Sequence, residues 1–309
     1  TDFHGALMDS SNNPVAGVLA KNINDIKASN PNRTLVIGGG DLYQGSPVSN
    51  VLFGVPVQKV MSSIGMEATA LGNHEFDWTL DKIINTTMKD ASYSIICSNV
   101  YKKSDGTRAF DPYKIITKDG VRIALVGAIS TETPSIVLPA NVENYKFTDP
   151  AAEINAAAKD IKDNNKADVI IAVIHEGSNY DLTTGPVFDI ADKLVNVNAV
   201  LGGHSHTKVQ ATAANGIPVV IANNAGKGFI DLKMSVDSSN KVSFLNTSSS
   251  YTAIDTTAAN GYKAANPVTD AGVMAIVKAA NDEIGPVFNV KIGTADKNLT
   301  RTQHGTPYG

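Results

Sequence analysis

Residues 201–207, LGGHSHT, set two histidines one residue apart, behind a pair of glycines and the apolar run Val197–Leu201. The chain has only six histidines in 309 residues. Three more occupy the same kind of position: His4 in DFHG, His74 in GNHEFD and His175 in VIHEG. Asp41 in GGGDLYQG and Asn73 just ahead of His74 join them. Carboxylates and neutral imidazoles that converge without cysteine make the donor set of a hydrolytic divalent-metal site. Two cations need more ligands than one, and a carboxylate able to touch both. Asp41 suits that task, because its glycines let the backbone come close. A pair of cations about 3.5–4 Å apart clamps a phosphoryl group and lowers the pKa of a water toward ~7. The plainer alternative makes these ordinary polar loop residues, with Asn73 an Asx-turn or N-cap residue and His74–Asp77 a structural hydrogen bond.

Convergence requires elements that end side by side. Thr34–Ile37, Val121–Val126, Val169–Ile174, Val197–Leu201 and Val219–Ala222 are short, β-branched and bounded by turn residues, so each reads as a buried strand. Helical patterns lie between them. One follows Asp149-Pro150, with Ile154, Ala157, Ala158 and Ile161 on one face; another spans Ala16–Ala28 after Pro14. Phe229–Val236 and Lys241–Leu245 alternate around DSSN and predict a hairpin. The class is α/β, and in such sheets ligands bind outside the carboxyl ends of the strands. The layered domain is expected to end near residue 255. A loop-like stretch (256–267), one helix over Val268–Ile284 and a strand-like piece, Val290–Ile292, follow.

Composition narrows the partners. At 42% apolar and 18% charged residues the chain reads as a globular protein, and no window approaches 18 apolar residues. A net charge of −4 argues against binding a nucleic-acid duplex, which needs a basic face. Positive charge for an anionic substrate would then come from bound metals. The single cysteine, Cys97, cannot form an internal disulfide and is expected to be a small buried hydrophobe.

Asp2-x-His4, Gly40-Asp41, GNHE at 72–75, His175 and GHSH at 203–206 together resemble the signature of calcineurin-like metallophosphoesterases. More narrowly, GGGDLYQGSP, ALGNHEFDW and VLGGHSHT resemble the 5'-nucleotidase family, which includes UDP-sugar hydrolases and 2',3'-cyclic-nucleotide phosphodiesterases. The resemblance implies a four-layer α/β/β/α sandwich and two divalent ions; His, Asp and Asn ligands suit Mn, Zn, Fe or Co about equally. It implies that Asp2, His4 and His206 hold one ion and Asn73, His175 and His204 the other, with Asp41 shared. Asn73 and His74 would contact the substrate. His74, oriented by Asp77, would steady the phosphate or protonate the leaving oxygen during in-line attack by metal-activated water. The implied substrate is a nucleotide phosphoester, and the implied location is extracellular, periplasmic or cell-wall-attached.

Related thiosulfohydrolases share the ligand pattern. A surface-binding module with an idle metal site is the reading from another functional class. The expected division is a catalytic domain over 1–255, a linker with a helix over 256–285, and over 286–309 the start of a substrate-binding domain not present. That domain carries the family's nucleoside-selecting residues, so slow and indiscriminate activity is expected of this chain. Only Thr1 precedes Asp2, so fraying is expected there. Glu75 and Glu176 are expected around the site or at the surface, Phe76 and Trp78 in the core, and His304 in solvent.

Overall fold

The computed structural model describes residues 1–254 and 268–294. Three strands, β1 (Val36–Gly38), β2 (Met66–Ala70) and β3 (Ser94–Ile96), pair in parallel in that order. Six more form a second sheet: β4 (Tyr113–Lys118), β5 (Val121–Ile129), β6 (Val169–His175), β7 (Ala199–Leu201), β8 (Lys208–Thr212) and β9 (Pro218–Ala222). Its order is β8-β9-β7-β6-β5-β4, with the inner four strands parallel and the two edges antiparallel. All seven residues of β6 are buried, which explains its unbroken apolar run.

The sheets face each other across a core that includes Ala68, Ala70, Ile96, Leu125, Ile171, Val173 and Ala199. Helices α1 (Val15–Ser29), α2 (Val55–Ser63), α3 (Pro150–Asp163), α4 (Pro186–Ala191) and α5 (Ala271–Phe288) cover the outer faces. Residues of α3 and α4 pack on the larger sheet, and those of α1, α2 and α5 join the core beside the smaller one. This is the α/β/β/α sandwich.

The start of α3 shows how sequence sets an element. The Asp149 carboxylate accepts the Ala151 and Ala152 N–H groups, and Pro150 supplies a helical φ where no N–H is needed. Its buried stripe is the expected Ile154, Ala157, Ala158 and Ile161. Truncating either isoleucine to alanine would cost roughly 2–5 kcal/mol.

Some expected elements differ. In the predicted hairpin only Met234–Val236 and Val242–Phe244 pair. Gly228–Ile230 instead pairs with Tyr251–Ala253, and Asp231 leaves the run by donating its N–H to Ser250 O at 2.7 Å. Val290–Ile292 is not a strand: no described strand pairs with it, and Val290 and Ile292 stand exposed. Helix α5 starts later than expected, where the Asp270 carboxylate caps the Val273 N–H, and runs on to Phe288. It buries Val273, Val277, Ala280 and Ile284. Fraying at Asp2 is not seen. Asp2 N–H bonds Gly40 O, His4 N–H bonds Asp41 O, and Ala225 N–H bonds Asp2 O, each at 2.8–3.0 Å. These tertiary hydrogen bonds hold the segment in place.

Phe76 is buried and Trp78 packs partly buried against the same core. Cys97 is buried, and burial pushes its thiol up to about 12, so it is inert packing. No described helix is long and apolar enough to cross a membrane. The 256–267 loop and the tail with His304 lie outside the described residues.

Candidate metal centre

The site residues sit at or after the carboxyl ends of parallel strands in both sheets. Asp41 follows β1 through Gly39-Gly40, and Asn73 and His74 follow β2. His175 is the last residue of β6, and His204 and His206 follow β7 through Gly202-Gly203. Asp2 and His4 lie against the 40–42 segment through the bonds just described. Two groups of three side chains result, each with ligand atoms within 4.8 Å of one another: Asp2, His4 and His206, and Asp41, His175 and His204. Asp41 also lies in a third group with His4 and His74. Asn73 joins through its Oδ1, 3.2 Å from His175 Nε2. All seven expected ligands are thus brought together, with Asp41 Oδ2 3.1 Å from His175 Nε2 and 3.9 Å from His4 Nε2.

The ring nitrogens suit a metal. His4 Nδ1 lies 3.0 Å from Gln44 O, and His175 Nδ1 lies 2.7 Å from Gly39 O. A carbonyl only accepts, so each Nδ1 carries a proton and each Nε2 is the atom that faces the centre. His4 Nε2 and His206 Nε2 are 2.9 Å apart, a hydrogen bond that brings both atoms to one point. Burial, the larger effect, holds the His4 and His204 imidazoles below their ordinary range and so in the neutral form that ligates. His175 behaves differently. Burial opposes its charge, but Asp41 overrides this and lifts it to about 10; His175 in turn holds Asp41 well below the usual carboxylate range despite its burial.

Backbone strain collects here. Asp2, His4, Asp41, His204 and His206 all have positive φ, between 48° and 68°. Non-glycine residues rarely adopt this, and each costs of order 1–3 kcal/mol. Such cost persists only where the surroundings fix it. Two glycines make room. Gly40 has φ +84°, and a Cβ there would lie 2.6 Å from His175 Nδ1; at Gly72 a Cβ would lie 2.2 Å from Asp41 Oδ1.

Two residues do more than the sequence reading gave them. Glu75 is fully buried, and its carboxylate accepts the N–H groups of Asp41, Leu42 and Gly72 at 3.0, 3.0 and 2.7 Å. It ties the Asp41 loop to the Asn73–His74 turn. Burial, then the Asp41 charge, pushes its carboxyl up to about 7 while the N–H groups pull the other way. Asn224, after β9, places Nδ2 3.1 Å from His206 Nδ1. No sequence signal marks the burial of Glu75, and Asn224 was legible only as a turn residue in NNAG. Glu176 is buried as well and accepts the Gly177 N–H.

His74 stands at the lip, its side chain 37% exposed and its ring 5.2 Å from that of His4. Its N–H donates to Asp41 Oδ1 at 2.9 Å. Nδ1 is 2.8 Å from Asp77 Oδ2, and this hydrogen bond raises the imidazole above its ordinary value.

Residues 1–208 match the calcineurin-like phosphoesterase family. The chain belongs to that family. Among curated relatives, a 5'-nucleotidase of Vibrio cholerae is 34% identical over 181 residues, covering 57% of this chain and 32% of that protein. A cell wall protein of Listeria monocytogenes is 27% identical over 345 residues, covering 96% of this chain and 43% of that protein. The solved 5'-nucleotidase precursor of Thermus thermophilus shares the fold at TM-score 0.74 and 22% identity, over 93% of this chain and 58% of that one. The chain thus spans about a third of the length of the Vibrio relative.

Proposed function

We propose that this phosphoesterase domain hydrolyses nucleotide phosphoesters of the 5'-nucleotidase type at a centre of two divalent ions. One ion is assigned to Asp2, His4 and His206, the other to Asn73, His175 and His204, with Asp41 shared. The observation that carries this reading is the pair of ligand clusters, Asp2–His4–His206 and Asp41–His175–His204, meeting beside one buried aspartate. Bound ions supply Lewis-acid charge for the phosphoryl group and a water of lowered pKa. The chain supplies positioning. Asp41 holds the His74 turn through the His74 N–H, Asp77 fixes the imidazole, and Asn73 and His74 flank the phosphoryl group. Water attacks phosphorus in line with the leaving oxygen. As the phosphorus–oxygen bond breaks, His74 Nε2–H passes its proton to that oxygen, and Asp77 stabilises the arrangement.

Residues 1–255 are assigned to this catalytic unit. The likeness to the Vibrio nucleotidase supports a nucleoside monophosphate as substrate, and the Listeria relative supports a location at the cell surface. The test is hydrolysis of nucleoside monophosphates, cyclic nucleotides, UDP-glucose and p-nitrophenyl phosphate with Mn²⁺ and with chelator. Chelator-sensitive release of phosphate from the monophosphates is expected. Turnover that survives the chelator, or none on any of the panel, would overturn the reading.

A further inference from the structure

His206 differs from His4 and His175 in what stands behind its ring. Those two present a carbonyl to Nδ1; His206 presents an amide. Asn224 Nδ2, a donor, lies 3.1 Å from His206 Nδ1, while Asn224 Oδ1 accepts from Lys227 Nζ at 2.9 Å. An amide has one accepting end and one donating end. In this arrangement His206 Nδ1 must accept, so the proton sits on Nε2, the atom that faces Asp2 and His4. That tautomer cannot ligate through Nε2. Ligation through Nε2 puts the proton on Nδ1, which then needs an acceptor, and the nearest is Asn224 Oδ1 after the amide turns over. The turned amide points its NH2 at the Lys227 ammonium, a donor against a donor, and the lysine must leave.

The surroundings permit this exchange. The loop backbone is fixed: Lys227 N–H bonds Asn224 O at 3.0 Å and Ile254 N–H bonds Lys227 O at 2.6 Å. The Lys227 side chain is exposed, and its ammonium makes no ion pair among the described residues. His206, with its side chain 43% exposed, lies at the mouth of the centre. No other described Lys or Arg side chain hydrogen-bonds to a proposed ligand or to the partners named above.

We propose that Asn224 is a positioning residue for His206, and that filling the centre moves its amide oxygen from Lys227 to His206, releasing the Lys227 ammonium to receive the substrate's phosphate dianion. This rests on the reading of His206 as a ligand.

The test is calorimetric titration of the 1–309 chain with Mn²⁺, no substrate present, followed by kinetics. Wild type should take up two ions. Asn224→Ala should weaken one of the two sites by about 10–100-fold, as loss of a partner behind a ligating histidine does. Lys227→Met should strengthen that same site by roughly 2–10-fold, the worth of one hydrogen bond returned. It should also raise KM for p-nitrophenyl phosphate, a dianion, more than for the monoanionic bis(p-nitrophenyl) phosphate. In Asn224→Ala, or in Asn224→Asp, whose carboxylate accepts from both neighbours at once, Lys227→Met should no longer strengthen binding through the amide. A gain from Lys227→Met that persists in the Asn224→Ala background would be simple charge removal and would overturn the proposal, as would no gain or an unchanged KM in the wild-type background. Fewer than two ions in wild type would instead overturn the ligand assignment beneath it.

Discussion

Replacing Glu75 with alanine removes the common acceptor of three buried N–H groups, those of Asp41, Leu42 and Gly72. Each N–H left without a partner costs roughly 1–3 kcal/mol, so the three together cost about 3–9 kcal/mol. That is a large share of the roughly 5–15 kcal/mol that holds a domain folded. Glu75→Gln is the graded control. Its oxygen can keep the Asp41 and Gly72 bonds made by Oε2, while its NH2 opposes the Leu42 N–H, for a cost of about one lost bond, roughly 1–3 kcal/mol. At about 2–4 °C per kcal/mol, the glutamine variant should melt several degrees below wild type. The alanine variant should melt far lower or fail to fold. Scanning calorimetry in chelator isolates this from metal binding. An alanine variant that melts within about 1 °C of wild type would refute the reasoning, since the N–H groups would then have found other partners at no cost.

His74→Ala should lower turnover by about 10²–10⁴ with two Mn²⁺ still bound by plasma mass spectrometry; loss of metal along with activity would mean that His74 is a ligand. The proton-donating form of His74 is present below its raised pKa and is lost as pH rises through it, so kcat should fall on the alkaline side. Asp77→Asn removes the largest cause of that rise and should move the alkaline limb to lower pH; an unmoved limb would take His74 out of the acid role. Gly72→Ala places a Cβ 2.2 Å from Asp41 Oδ1 and 2.3 Å from Asp41 N, so it should weaken Mn²⁺ binding well beyond an alanine at the open Gly106. Equal binding by the two variants, measured by titration, would show that the Asp41 loop gives way freely.

What the sequence made legible follows from where the chemistry sits. Asp41, His175, His204 and His206 each end or follow a short β-branched run, and a parallel sheet delivers such positions to one edge; Asn73 follows Met66–Ala70, a strand whose MEATA composition carries no such signal. The strand runs could be read because their burial on both faces leaves few other uses for that composition. Glu75 could not be read in the same way. A glutamate in a turn gives no sign that three N–H groups will surround it, because those groups belong to segments 33–34 residues and three residues away. The firm seating of Asp2 was hidden for the same reason: its partners Gly40 and Ala225 are tertiary neighbours. Val290–Ile292 has strand composition but no described partner, and alternation alone does not make a sheet.

Diffraction from crystals grown with Mn²⁺, with anomalous data collected at the manganese edge, tests the centre most directly. Two peaks about 3.5–4 Å apart are expected, one beside Asp2, His4 and His206 and one beside Asn73, His175 and His204, with the Asp41 carboxylate between them. A single peak, or two peaks with Asp41 touching only one, would contradict a shared-aspartate pair of ions.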